Sequence, residues 1–128
     1  MAALAALVVV CGGAGQARAA EQVFVLHSYS QEYPWTRGQH QGFLDALQAD
    51  TAHSFDFKVE YLDTKRAGYA PEYAAMMAAH LKQKYANYRP AAIYVTDDNA
   101  LSFALEHVDA LFPGAPVFFP GSTTTACC

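Results

Sequence analysis

Three short runs of β-branched and aromatic residues, "VFVLHS" (23–28), "FDFKVEYLD" (55–63) and "AAIYVTDD" (91–98), each give way to a segment whose apolar residues recur at helical spacing. This switch of period from strand to helix constrains the fold more than any other feature of the chain. The first helix is expected from about Thr36 to Ala49, with His40, Phe43, Leu44 and Leu47 on one face. The second covers 70–86, opening with Pro71 and Glu72, both suited to a first helical turn, and its stripe is Ala74, Met77, Ala78, Leu81 and Tyr85. A third, from about Asn99 to Leu111, turns Leu101, Ala104, Leu105 and Val108 inward, and "PGAP" then leads into a fourth strand at "VFF" (117–119). Short connections in the order β-α-β-α-β-α-β predict an α/β domain, an open doubly wound parallel sheet with right-handed crossovers and helices on both faces. The alternation of Phe55, Phe57, Val59 and Tyr61 suggests that the second strand has one less fully covered face.

The length of 128 residues suits one domain. A 53% apolar content, with eight Tyr, eight Phe and one Trp, excludes a disordered chain. The eight Lys and Arg residues are scattered and the formal net charge is −4, so no nucleic-acid partner is expected. Residues 1–19 read differently from the rest. An Ala/Leu/Val run at 2–10 followed by "ARA" at 17–19 resembles a secretory signal peptide, removed on export or kept as an N-terminal anchor, although no Lys or Arg precedes the apolar core. The run is well short of the roughly 20 residues a membrane-spanning helix needs. Periplasmic or other extracytoplasmic localisation follows as the expectation. Of the three cysteines, Cys11 lies in the leader and Cys127 and Cys128 end the chain side by side, a pair that can close only a strained ring.

In an open α/β sheet, ligands bind beyond the carboxyl ends of the strands. Those ends read His27, Ser28, Tyr29 and Ser30; Asp63, Thr64, Lys65 and Arg66; Thr96, Asp97, Asp98 and Asn99; and Pro120, Gly121 and Ser122. Nearly every unusual polar residue therefore gathers on one edge. Each also has a structural reading: Asp98 or Asn99 as a cap of the third helix, "DTKR" as a solvated turn or salt bridge, His27 as a satisfied strand-end histidine. Trp35, in the loop after Pro34, either packs under the first helix or forms an aromatic wall for a ligand.

Several chemistries lack their residues. No Gly-rich phosphate cradle follows the first strand, "HSYS" offers no carboxylates for the magnesium site of a receiver domain, and no G-x-S-x-G elbow occurs. The five histidines have no close metal-ligand spacing, so neither metal nor cofactor is expected. A small hydrolase pairing His27 with Asp97 stands as a competing reading.

Four segments, "VLHSYSQEYPWT", "VEYLDTKR", "AAIYVTDDNAL" and "LFPGAPVFF", occur in an order and spacing that resemble the periplasmic-binding-protein-like sensor domain of bacterial histidine kinases and diguanylate cyclases. Solute-binding proteins of ABC transporters share that superfamily. The resemblance covers 22–121 and implies the first lobe of a type I binding protein that closes on a small molecule and is not itself an enzyme. Carried over, the crevice takes His27, Ser28, Tyr29, Tyr33, Trp35, Asp63, Asp97, Asp98 and Asn99. Residues 20–121 are then an incomplete N-terminal lobe, and 122–128 are an irregular tail, out of frame with the family pattern. The implied partners are a small-molecule ligand and a second lobe with an output domain; the alternative is the N-terminal lobe of a transporter protein that serves an ABC permease.

Overall fold

A computed structural model describes residues 20–120; the expected leader and tail lie outside the described residues. Four strands, β1 (Glu21–His27), β2 (Phe55–Tyr61), β3 (Ala92–Thr96) and β4 (Val117–Phe118), form one sheet in the order β2-β1-β3-β4, and every pairing is parallel. Helices α1 (Pro34–Gln48), α2 (Thr64–Ala67), α3 (Pro71–Lys84) and α4 (Asp97–Phe103) lie between them, and α4 runs on through a π-helical turn (Ala104–Val108) into α5 (Asp109–Leu111). The open parallel α/β architecture expected from the period switches is the one observed.

The strand pleat sorts the side chains between two faces. Phe24, Leu26, Ile93 and Val95 project from β1 and β3 into the main core, where Ala74 and Leu81 of α3 and Ala100 and Phe103 of α4 close over them. Burying each of the larger of these side chains contributes about 1.5–3 kcal/mol. Val23, Val25, His27, Tyr94 and Thr96 occupy the opposite face, beneath α1. There Phe43 of α1 stacks on Tyr94, with ring centroids 3.9 Å apart, and meets Phe57 edge-on at 5.8 Å. Among the described residues helix α1 alone covers this face, and only Thr36 of its fifteen residues is buried. Strand β2 is an edge strand, which is why Phe55, Phe57, Val59 and Tyr61 stay half-buried.

Four local readings need correction. Helix α1 begins at Pro34, not Thr36, because proline's fixed φ and missing N–H suit the first helical position; Trp35 therefore sits in the first turn and not in a loop. "TKRA" forms the one-turn helix α2 where a turn was expected. Helix α4 begins at Asp97, inside the run read as the third strand. Leu105, expected to face the core, is 63% exposed: the wide π turn carries the buried stripe from Ala104 to Val108 and leaves Leu105 outside it.

Candidate functional site

Strand β1 ends in two buried polar residues, and each has its partners. Ser28 Oγ donates to the Thr96 carbonyl at 2.7 Å and accepts from the Ala100 N–H at 2.7 Å. Its hydroxyl thus sits between the two groups that would close the first i to i+4 bond of α4, and it satisfies both. Neither Asp98 nor Asn99 provides the expected cap. Asn99 Nδ2 donates instead to Thr64 Oγ1 (2.7 Å), and Thr64 Oγ1 donates to the Ser28 carbonyl (2.9 Å). One hydrogen-bonded seam therefore ties together the ends of β1, β2 and β3.

His27 is fully buried beneath α1, with Nδ1 2.7 Å from Thr96 Oγ1 and Nε2 3.0 Å from His40 Nδ1, and its ring stacks on Tyr61. Burial, reinforced by the neighbouring His40, lowers its pKa to about 4. Burial lowers that of His40 as well. Both nitrogens of His27 are engaged away from Asp97, so the His27–Asp97 pair of a hydrolase is not formed.

The first turn of α1 faces the start of α4 across the top of β1 and β3. Trp35 Nε1–H donates to Asp97 Oδ1 at 3.0 Å, and Gln39 Nε2 lies 3.4 Å from both oxygens of the same carboxylate. The Trp35 ring nevertheless remains 59% exposed, so it is held by its edge rather than packed under the helix. Asp97 adopts a φ of 65° and Asp63 one of 54°, and these are the only non-glycine residues with positive φ among the described residues. Such a conformation costs free energy that a purely structural turn avoids by using glycine, and strained residues of this kind cluster at functional sites.

Beside α1 opens a crevice of about 640 Å³ whose upper wall is Tyr29, Trp35, Gln39, Asp97 and Asp98 and whose floor includes Tyr94. This lies within the size range of small-molecule sites. Four of the nine residues expected at the crevice, Tyr29, Trp35, Asp97 and Asp98, line it. Tyr33, the N-cap of α1, sits behind Tyr29 with the rings edge-to-face at 5.4 Å. His27, Ser28 and Asn99 lie in the framework beneath or beside it. Asp63 stands at the start of α2, where Arg66 Nε approaches it at 3.8 Å and a second Arg66 nitrogen lies 3.6 Å from Glu32. The Arg66–Glu32 pair is exposed and contributes little to stability, whereas Asp63 Oδ1, the atom facing Arg66, is buried and makes no hydrogen bond among the described residues.

Sequence reasoning missed Gln39, Gly38, Gly42 and Tyr94, which also line the crevice. Gly38, Gly42 and Ala46 recur every fourth residue on α1, a spacing that marks one helix face without side-chain bulk and could have pointed to an open flank. Among the described residues no three His, Cys, Asp or Glu side chains cluster as a metal site, and no helix is long and apolar enough to cross a membrane.

The fold and crevice define a parallel α/β domain with a small-molecule-sized cleft at the carboxyl edge of its sheet. A scan against protein-family models, a search of curated proteins and a search of solved structures each returned no match.

Proposed function

We propose that this chain is a small-molecule-sensing lobe of a bacterial membrane signalling protein, working outside the cytoplasm as the input domain of a histidine kinase or diguanylate cyclase. The observation that carries this reading is the pinned, exposed Trp35 facing Asp97 at the mouth of a crevice on the carboxyl edge of a parallel sheet. In such sheets that edge is where ligands bind. The resemblance of the four strand-end segments to periplasmic-binding-protein-like sensor domains supports the same reading. The lobe provides one wall, a second lobe closes over it, and the ligand shifts an open–closed equilibrium by its differential affinity for the two states.

Trp35 is the only tryptophan, so its fluorescence reports on the crevice without interference. Titration with a panel of amino acids, sugars, nucleobases and amines should produce a saturable change for at least one class. A flat signal across the panel, together with unshifted amide resonances at Gln39 and Asp97, would overturn the sensing role.

A further inference from the structure

The lining of the crevice is chemically one-sided. It carries two carboxylates, Asp97 and Asp98, and five exposed or half-exposed aromatic side chains, Tyr29, Trp35, Phe43, Tyr94 and Phe119, with no Lys or Arg among the described residues. Among the described residues the Asp97 carboxylate is met only by neutral donors, the indole N–H of Trp35 and the amide of Gln39. Two neutral donors orient a carboxylate without cancelling its charge, and they leave acceptor capacity directed at whatever enters. An anion entering this space would meet two like charges; a neutral ligand would leave both uncompensated.

The aromatic wall already holds a cation of its own. Lys65 Nζ lies 4.6 Å from the centroid of the Tyr29 ring and 4.7 Å from that of Tyr33, so the two edge-to-face tyrosines present their π faces to one ammonium group. Lys65 does not line the crevice, but Tyr29 does. That tyrosine pair is filled by Lys65, whereas Trp35, whose indole face is the best cation acceptor among the side chains, stands exposed on the crevice wall with no cation over it among the described residues.

We infer that the crevice selects organic cations, a primary or quaternary ammonium group placed against Asp97 and Asp98 and over the exposed face of Trp35. This inference rests on the crevice being a ligand site, and it names the charge class of the ligand. The cavity volume of about 640 Å³ leaves room for a metabolite-sized body behind the ammonium head.

Three probes of nearly one shape separate charge from size: choline, its neutral isostere 3,3-dimethylbutan-1-ol, and the anion 3,3-dimethylbutanoate. Each is titrated into the full chain at constant ionic strength, with Trp35 fluorescence and the amide resonances of Gln39, Asp97 and Asp98 as readouts. Choline should bind at least about tenfold more tightly than the alcohol, and the anion should not bind. D97N should weaken choline by about tenfold. D98N, at an exposed position where the fold is not at risk, should weaken it by a smaller factor and leave the alcohol unaffected. Equal binding of choline and the alcohol, or preference for the anion, overturns the cation assignment and leaves the crevice reading standing. So does binding of other metabolites at Trp35 with no preference for positive charge. Silence of every probe and every metabolite at these residues overturns both.

Discussion

His27 Nε2 and His40 Nδ1 lie 3.0 Å apart, which joins the buried end of β1 to the inner face of α1 through two imidazoles. A single proton can occupy that contact, so one nitrogen donates and the other must accept. Full protonation of both rings would place two donors face to face in a buried site beside Tyr61 and Thr96. Tyr61 stacks its ring on His27, and burial raises the pKa of its hydroxyl, so it brings no compensating negative charge.

The first expected outcome concerns pH. The pKa of His27 in the folded chain, about 4, lies below its reference of 6.5, so the unfolded chain binds a proton that the native state excludes. Stability is therefore full above about pH 6.5 and falls as pH drops toward 4, by up to about 3 kcal/mol from His27. The lowered pKa of His40 acts in the same direction. Urea midpoints measured across this range should decline steeply in the wild type and much less in H27N. An equal slope in both would remove His27 as the source.

Ser28→Ala removes the hydroxyl that joins the Thr96 carbonyl to the Ala100 N–H and leaves both groups buried without it. A loss of about 1–3 kcal/mol is expected from chemical denaturation. If the loss stays below about 0.5 kcal/mol, the helix closes its own first bond and Ser28 is dispensable.

Trp35→Phe should leave stability within about 0.5 kcal/mol, because the ring is 59% exposed and the bond to Asp97 is at the surface. Phe103→Ala, in contrast, opens a cavity in the core and should cost about 3–5 kcal/mol. A destabilisation of several kcal/mol by W35F would mean that Trp35 is a packing residue after all.

Gly38 and Gly42 lie inside α1 with nothing within 4 Å of the position a Cβ would occupy. Replacing either by Ala should stabilise the chain by about 0.5–1 kcal/mol, since Ala is the better helix former and meets no clash. Both residues line the crevice, so the same variants should narrow it and weaken whatever binds there. Thermal unfolding and the Trp35 titration, run on the same samples, read the two effects separately.

The strands, their parallel arrangement and the gathering of polar residues on one edge were legible because each is written in local periodicity: short β-branched runs alternating with helix-spaced segments and short connections. Boundaries were less so. Trp35 was placed in a loop because the first helix was expected to start at about Thr36, whereas Pro34 sets the helix start through backbone geometry.

What the chain order by itself determined is the alternation that makes an open parallel sheet, and with it the edge where Tyr29, Trp35, Asp97 and Asp98 must appear. Only the tertiary structure decided which polar residues at that edge face the crevice and which are consumed in building it. Ser28 and Thr96 are 68 positions apart, and Trp35 and Asp97 are 62 apart. Hydrogen bonds over such separations depend on strand order and on the left-handed turn at Asp97, neither of which leaves a mark in local spacing.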